Sequence, residues 1–354
     1  MDPISQGVLG AAAAQTRSQG ASAKFPAATA QAGPAQPEKT RTVLWLAAML
    51  GAFSGMAPDI DVFISSRTDP LLFLEFHRQF THALVFIPIG ALVCAGLAHY
   101  FVRHRLPFKS TYLFCFFGYA THALLDGCTS YGTQLFWPFS SERVAWNNVS
   151  VVDPLFTVPA IVLVITGVRR NSQVFSYVAL GWMLGYLLLG VVQRDRALAL
   201  GMEVAAARGH QPVSRLEVKP SFGNLLLWKL VYEYRGRYYI DGIRTGTAVT
   251  HIAGESAAKL DVPTHLPWLD LTSQQAKDIE RFRWFSDDFL ALDKYHPHGI
   301  VDVRYSMLPN EVRGMWGIAL EQSAAVDQHV GYYSDRTLEP ERRQRFFQML
   351  FTAD

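Results

Sequence analysis

Charged residues are scarce in this sequence. Only 18% of the 354 residues are charged, half are hydrophobic, and the mean hydropathy is +0.11. Because soluble domains carry about 25% charged residues, this composition argues against an ordinary soluble protein and indicates a membrane protein. The formal net charge of +2 decides nothing about nucleic acid, which we do not expect as a partner.

Cysteine is rare, and the N-terminus does not have the pattern of a secretion signal. The three cysteines, Cys94, Cys115 and Cys128, lie in or beside apolar runs and lack the spacing of metal-ligand pairs. We therefore interpret them as packing residues. The start "MDPISQ" is acidic rather than basic, and the apolar stretch after it is weak and rich in Ala and Gly. Both features argue against a signal peptide.

Hydrophobic residues concentrate in the region 1–193. Apolar segments cover 4–15, 43–57, 83–102, 111–127, 152–168 and 174–193. A spanning helix needs about 20 apolar residues, which two of the segments supply in full, and the two shortest could be tilted, half-inserted or a partial hairpin. We predict a mainly α-helical polytopic membrane domain with about five or six membrane-embedded helices. The low-complexity stretch 16–42, rich in Ala, Pro and Gln, is predicted to be a disordered linker.

The region 194–354 has a different character, because it is polar and contains no spanning run. Its patterns predict a small soluble α+β domain. The expected helices cover 196–209 and 272–285, and the expected strands cover 214–220, 224–236, 237–244, 299–308 and 314–320. The second and third of these strands are predicted to join at Arg235-Gly236 as a hairpin.

Basic residues favour one orientation in the membrane. If all six segments cross, one set of loops holds nine basic residues and the other set holds three. The first set is Arg17, Lys24, Lys39, Arg41, Arg103, Arg105, Lys109, Arg169 and Arg170; the second is Arg67, Arg78 and Arg143. The positive-inside rule places the first set in the cytoplasm. The C-terminal domain is then predicted on the periplasmic side.

Ionisable residues recur where the apolar segments begin or end, and the fourth segment contains a pair. They are Asp59, Asp61, His77, His82, His122, Asp126 and Asp153. The alternation of loops brings them to the same membrane face, and the spacing of four puts His122 and Asp126 on one helix face. Ionisable residues at membrane depth are costly and indicate function. Mixed nitrogen and oxygen ligands suit one or two divalent ions, such as zinc or manganese.

Each element also has a structural explanation. A single intramembrane His or Asp often makes a packing hydrogen bond, Arg78 could snorkel, and Thr81 could cap the next helix. Three such elements on one membrane face are much less expected by chance. In the C-terminal domain, His296 and His298 of "KYHPHG" lack an accompanying Cys, Asp or Glu cluster, which favours a solvated turn.

Several strings occur together in a specific order: "MDPISQGVLGAA", "GMAPDIDVF", "HRQFTHAL", "THALLDGCTSYGTQLFWPF" and "VVDPLF". Over about residues 1–193 the chain resembles the YdjM-type family of bacterial inner-membrane proteins, which is assigned as metal-dependent hydrolases. The layout is more remotely similar to zinc-dependent phospholipase C and P1-type nucleases. The resemblance implies a multi-pass protein of the bacterial inner membrane.

The resemblance also implies a ligand set, which comprises Asp59, Asp61, His77, His82, His122 and Asp126. Asp153, which Pro154 follows, matches an acidic residue before proline that lies further along the family's sequence pattern. The chain departs from many members near its N-terminus, where Ser5-Gln6 replaces a Thr-His pair. A histidine ligand from that segment is therefore absent, although Gln6 could reach the site by a hydrogen bond.

The favoured hypothesis is a membrane-bound hydrolase that acts on a phosphoester or lipid-linked substrate at the interface. Zinc is the metal that we expect first. A bound zinc ion would lower the pKa of a water molecule that it binds. Asp61 or Asp153 would accept the proton, and Arg78 would hold an anionic oxygen. The alternative is a non-catalytic metal-binding or transport protein whose C-terminal domain recruits a partner. A weaker option is an adaptor protein whose soluble domain carries the function and whose membrane part serves only as an anchor.

Overall fold

The computed structural model describes residues 1–19, 36–337 and 339–352. It divides into two compact units. The first contains Met1–Phe63 and Phe76–Leu189, and the second contains Ile64–Glu75 and Gly190–Asp354. Most of the stretch predicted as a linker, residues 20–35, lies outside the described residues.

The N-terminal half is helical. Its α-helices are α1 (Pro3–Gln15), α2 (Gln36–Met56), α3 (Leu72–Phe76), α4 (Ile87–Val102), α5 (Phe108–Cys128), α6 (Pro154–Arg170) and α7 (Val174–Ala207). Short 3₁₀ helices cover Ala57–Phe63, Phe80–His82 and Leu84–Phe86. Helix α2 begins at Gln36, so the end of the predicted linker is helical rather than disordered.

Three helical segments in the described part of the chain are long and apolar enough to cross a membrane: Glu38–Phe63, Leu84–Val102 and Val174–Ala207. The predicted count of five or six spans is not confirmed. Helix α7 was predicted as two separate segments, an apolar span over 174–193 and a helix over 196–209. That split is wrong, because the charged residues Arg194 to Arg196 interrupt the apolar run without breaking the helix.

Glycines let three helices of the first unit approach closely. A Cβ atom on Gly10 of α1 would lie 2.4 Å from the carbonyl oxygen of Gly51 in α2. A Cβ on Gly118 of α5 would lie 2.3 Å from that same oxygen and 2.3 Å from Oγ of Ser54. Small residues permit such backbone contact between membrane helices. Cys94 and Cys115 pack in the adjoining apolar core, as their setting in the sequence predicts.

The second unit contains two antiparallel sheets, so the chain has a helical N-terminal part followed by a sheet-containing domain. The first sheet has the order β1 (Arg215–Pro220), β2 (Leu227–Tyr234), β3 (Arg237–Thr245) and β4 (Val249–Ala258); the second has β5 (Leu290–Leu292), β6 (Gly299–Asp302), β7 (Trp316–Ala319) and β8 (Gly331–Ser334). Helices α8 (Val262–His265), α9 (Gln274–Phe285) and α10 (Pro340–Phe351) complete it. The hairpin predicted at Arg235-Gly236 joins β2 to β3. Strands β4, β5 and β8 and helices α8 and α10 were not predicted from the sequence.

One buried cation of the first sheet has an unusual environment. Lys229 of β2 is almost fully buried, and its Nζ donates to Oγ of Ser306 and to the carbonyl oxygen of Glu311. Burial lowers the pKa of Lys229 to about 7, because the charged form loses its hydration.

The segment Ile64–Glu75 is anchored within the second unit by Arg281 of α9. The Arg281 guanidinium pairs with both oxygens of Asp69, at 2.9 and 2.8 Å, and with Glu75 at 2.5 Å. Phe73 also packs edge-on against Tyr332 of β8, with ring centroids 5.1 Å apart. Bidentate arginine–carboxylate pairs of this kind fix geometry as well as charge.

The glycine contacts predict a stability effect. Gly118→Ala should lower the free energy of unfolding by about 1–3 kcal/mol, because the new methyl group would clash with the backbone of α2 and force the two helices apart. Thermal or denaturant unfolding of the detergent-solubilised chain measures this. Gly96→Ala in α4 is the matched control, since its Cβ meets nothing within 4 Å. Equal stability of the two variants would contradict the packing argument.

Candidate metal centre

The two aspartates of "PDID" lie on a 3₁₀ helix that follows α2 directly. Pro58 lacks a backbone N–H and disfavours an α-helical residue before it, so α2 ends here. The tighter winding of Ala57–Phe63 carries Asp59 and Asp61. The side chain of Asp61 is fully buried, whereas that of Asp59 is 21% exposed.

Helix α5 supplies the second pair. His122 and Asp126 are buried and lie side by side, with Nε2 3.6 Å from Oδ2, as their spacing of four predicts. Nδ1 of His122 lies 2.6 Å from the carbonyl oxygen of Gly55 in α2. A carbonyl can only accept, so Nδ1 carries the proton and the neutral ring presents a lone pair at Nε2.

A 3₁₀ turn over Phe80–His82 positions His82. Nδ1 of His82 lies 3.0 Å from Oγ1 of Thr81 and 3.2 Å from Oδ2 of Asp61. Because the Thr81 hydroxyl donates to Asp61, Nδ1 of His82 must be the donor in its own contacts. The neutral form of this ring therefore also presents a lone pair at Nε2.

Four acceptor atoms thus converge on one point. The Nε2 atoms of His82 and His122 are 2.8 Å apart, and each lies 3.4 Å from Oδ1 of Asp59. Oδ2 of Asp126 lies 3.3 Å from His82 and 3.6 Å from His122. Tetrahedral ligands at zinc distances are about 3.3 Å from one another. The residues present therefore fit a divalent cation with two nitrogen and two oxygen ligands.

Asp61 organises the loop around these ligands. Its carboxylate accepts hydrogen bonds from Nδ1 of His77 at 2.8 Å, the backbone N–H of Arg78 at 2.9 Å and the Thr81 hydroxyl at 2.9 Å. It also contacts Nδ1 of His82. Carboxylates that hold the far nitrogen of a ligating histidine fix its tautomer and orientation. Asp59, Asp61 and His77 form a second metal-capable group, which shares Asp59 with the first.

Arg78 is buried beside the centre and adopts a rare backbone conformation. Its φ is +65°, which is uncommon for residues other than glycine. Its Nε lies 3.0 Å from Oδ2 of Asp126, and its Nη1 donates to Oγ1 of Thr129. The guanidinium also lies over the ring of Tyr131. The charge of Arg78 therefore balances that of Asp126, and the side chain does not extend to the membrane surface.

Gln6 of α1 reaches the same carboxylate. Its Nε2 donates to Oδ1 of Asp126 at 2.7 Å, and the backbone nitrogen of Met1 also contacts that oxygen. The sequence analysis expected such a hydrogen bond from Gln6. Asp126 is consequently held by α1 and by the loop before α4 as well as by its own helix.

Asp153 and the two C-terminal histidines lie outside both groups. Asp153 caps α6 by accepting from the backbone of Leu155 and Phe156, and it accepts from the Tyr186 hydroxyl at 2.8 Å. His296 pairs with Asp293 and stacks on Tyr333, and His298 contacts Trp268 edge-on. The metal-capable groups found among the described residues contain none of these three.

Sequence reasoning missed several supporting residues. Thr129 holds Arg78, the Tyr119 hydroxyl donates to the carbonyl oxygen of Thr81 at 2.8 Å, and Gly55 supplies the carbonyl for His122. The only signal for Gly55 was its position beside the PDxD motif. The contacts of Thr129 and Tyr119 depend on tertiary geometry that no local spacing encodes.

The sequence matches the model of a known family. The YdjM inner membrane protein family covers residues 1–197, more than half of the chain. The chain belongs to this family. All the residues of both metal-capable groups fall within the matched region.

Two curated relatives are similar to part of the chain. YfhP of Bacillus subtilis (strain 168), named an uncharacterized protein, is 21% identical over 205 residues, which are 57% of this chain and 61% of YfhP. The chain thus spans less than two thirds of that relative. The inner membrane protein YbcI of Escherichia coli (strain K12) is 29% identical over 147 residues, 40% of this chain and 80% of YbcI. No solved structure matches the chain.

The converging acceptors predict which residues control metal content. His82→Ala and His122→Ala should each weaken divalent-metal binding by more than about tenfold, since losing a ligand costs more metal affinity than losing a residue that only orients a ligand. Elemental analysis after purification of the full chain, with chelator competition for affinity, measures this. His296→Ala is the control and should retain the metal. Full occupancy in His122→Ala together with loss in His296→Ala would move the centre to the C-terminal domain.

Proposed function

We propose that this protein is a membrane-bound, metal-dependent hydrolase of a phosphoester or lipid-linked substrate. The observation that supports the proposal is the pair of imidazole lone pairs, on His82 and His122, facing each other between Asp59 and Asp126. Two acceptors at 2.8 Å repel unless a proton or a cation lies between them. The oxygens of Asp59 and Asp126 that face the same point support a divalent cation there, because together with the two nitrogens they complete a set of four ligand atoms.

The proposed primary ligands are the four residues with converging atoms: Asp59, His82, His122 and Asp126. Zinc is the ion that we propose first, because tetrahedral sites with mixed nitrogen and oxygen ligands suit it, and manganese is the alternative. Asp59 belongs to both metal-capable groups. It is therefore the carboxylate that would be shared if a second ion is held beside Asp61 and His77.

A bound divalent ion supplies Lewis acidity, which lowers the pKa of water and polarises a scissile ester. Around it, Asp61 orients His77 and His82 through their Nδ1 atoms. We assign the proton-accepting role to the His77–Asp61 pair, with the proton received at Nε2 of His77. Asp153 is the less suitable base, since its carboxylate already caps α6 and accepts from Tyr186.

Arg78 supplies fixed positive charge in this proposal. Its guanidinium is buried next to Asp126 and rests on the Tyr131 ring. A preorganised cation stabilises negative charge that develops on a phosphoryl oxygen. The positive φ of Arg78 fits this role, because strained backbone persists where the surrounding contacts over-determine it.

The position of the ligands along the chain favours an enzyme over a transporter. Asp59 lies near the end of the candidate span Glu38–Phe63, and His82 lies just before the candidate span Leu84–Val102. Transport sites are typically formed near the bilayer midplane by broken helices. Ligands at helix ends instead suit a substrate at the membrane interface, such as a lipid headgroup.

The activity test uses the purified full chain and a chromogenic phosphodiester. Hydrolysis should be present, disappear with a chelator, and return when zinc or manganese is added back. Asp61→Asn should keep most of the metal yet lower turnover by about 10²-fold or more, the scale of general acid–base effects. Metal bound without turnover of any phosphoester or lipid ester would support the alternative, a non-catalytic metal-binding or transport protein.

We further propose a multi-pass topology with the metal centre and the C-terminal domain on the periplasmic side of the inner membrane. The excess of basic residues in the opposite loops supports this orientation. Alkaline phosphatase fused after Asp354 should be active, and a green fluorescent reporter at the same position should be dark. The reverse pair of signals would invert the topology.

A further inference from the structure

Helix α7 marks the level of the lipid headgroups within the second unit. Its residues 174–193 carry no charge, and Arg194, Asp195 and Arg196 follow immediately. An apolar run of about 20 residues spans the hydrocarbon core. If this run crosses the hydrocarbon core, the charged triplet lies at the end of the crossing, in the interfacial layer.

The hairpin between β3 and β4 is fixed to this level of α7. Nε2 of Gln193 donates to the carbonyl oxygen of Thr245 at 2.8 Å, and Nη2 of Arg196 donates to that of Gly246 at 2.9 Å. These bonds join the exit of the helix to the hairpin turn. The turn thus lies beside the headgroups, on the same unit of the chain.

A cavity of about 390 Å³ opens next to this turn. Its lining comes from β3, β4, the loop before β7 and α10, and the residues that matter here are Arg244, Thr250, Asn310, Arg345, Gln348 and Met349. Arg244 and Thr250 are cross-strand partners in the β3–β4 register, directly before and after the turn. The described residues of the lining include two arginines and no carboxylate.

Both arginines keep donors for a ligand. Nη1 of Arg345 lies 3.2 Å from Glu311, but that carboxylate is already paired with Arg342 at 2.6 Å, and half of the Arg345 side chain is exposed. Nε of Arg244 makes only a long contact, 3.4 Å, with Oγ1 of Thr250. Arginine donors match phosphate oxygens in fork geometry.

We propose that this cavity binds the phosphate group of an anionic lipid from the adjoining leaflet. Arg244 and Arg345 hold the phosphate oxygens, Thr250 and Gln348 supply further polar contacts, and Met349 meets the apolar part of the glycerol. The acyl chains remain in the bilayer, because the cavity lies at the headgroup level. The site lies in the second unit and stands independently of the metal centre.

The test measures phosphate binding to the full chain in a neutral detergent. By calorimetry, short-chain phosphatidylglycerol should bind, whereas short-chain phosphatidylcholine, whose choline neutralises the phosphate, should bind more weakly. Arg244→Gln and Arg345→Gln should each weaken phosphatidylglycerol binding by about tenfold or more, as expected for a lost charged hydrogen bond. Arg237→Gln on β3 and Arg343→Gln on α10 are matched controls outside the cavity and should bind normally.

Two results would overturn the proposal. Phosphatidylglycerol affinity that is unchanged in both cavity variants would show that the cavity holds no phosphate. Glycerol 3-phosphate that binds as tightly as the lipid, with the same loss in the variants, would overturn the lipid source in favour of a soluble phosphate ester. The midpoint of thermal unfolding, measured for each variant, shows whether that variant is folded. If Arg345→Gln unfolds on losing its Glu311 contact, Arg244→Gln decides alone.

Discussion

The hydrogen bond from Nδ1 of His122 to the carbonyl oxygen of Gly55 is the contact on which the candidate metal centre depends. It forms because α2 and α5 touch backbone to backbone at Gly51 and Gly118. A side chain at either glycine would separate the helices and release the imidazole. The bond assigns the proton to Nδ1, so that Nε2 faces His82 as a lone pair. Helix packing in the apolar core therefore decides which nitrogen of the His122 imidazole carries the proton.

Around this contact, the loop between α2 and α4 is ordered chiefly by one carboxylate. Asp61 collects donors from His77, Arg78, Thr81 and His82, which are separated from it in sequence by the excursion through Ile64–Glu75. A carboxylate with so many donors is oriented as firmly as a backbone group. Asp59, two residues earlier, is less enclosed and remains directed toward the paired histidines. The PDxD motif thus combines an aspartate that orients the loop with one that faces the paired histidines.

Local spacing predicted the parts of this site that a single element encodes. The proximity of His122 and Asp126 follows from helix geometry, and the hairpin at Arg235-Gly236 follows from its turn residues. Spacing could not predict that Arg78 would adopt a positive φ and turn toward Asp126, because that conformation is imposed by contacts from Asp61 and Thr129. The continuity of α7 was also hidden, since charged residues end a membrane span without ending a helix.

The second unit is built from two stretches of chain, and this affects how the protein is made. Asp69 precedes its partner Arg281 by 212 residues, which take a ribosome about 10 to 40 s to synthesise. During that interval Ile64–Glu75 has left the ribosome without the domain that anchors it. Asp61 and His77 flank this segment in the sequence, so the proposed ligands are synthesised well before the residue that holds the segment between them. A nascent chain that stalls before Arg281 carries all the proposed ligands but lacks the anchor of their loop.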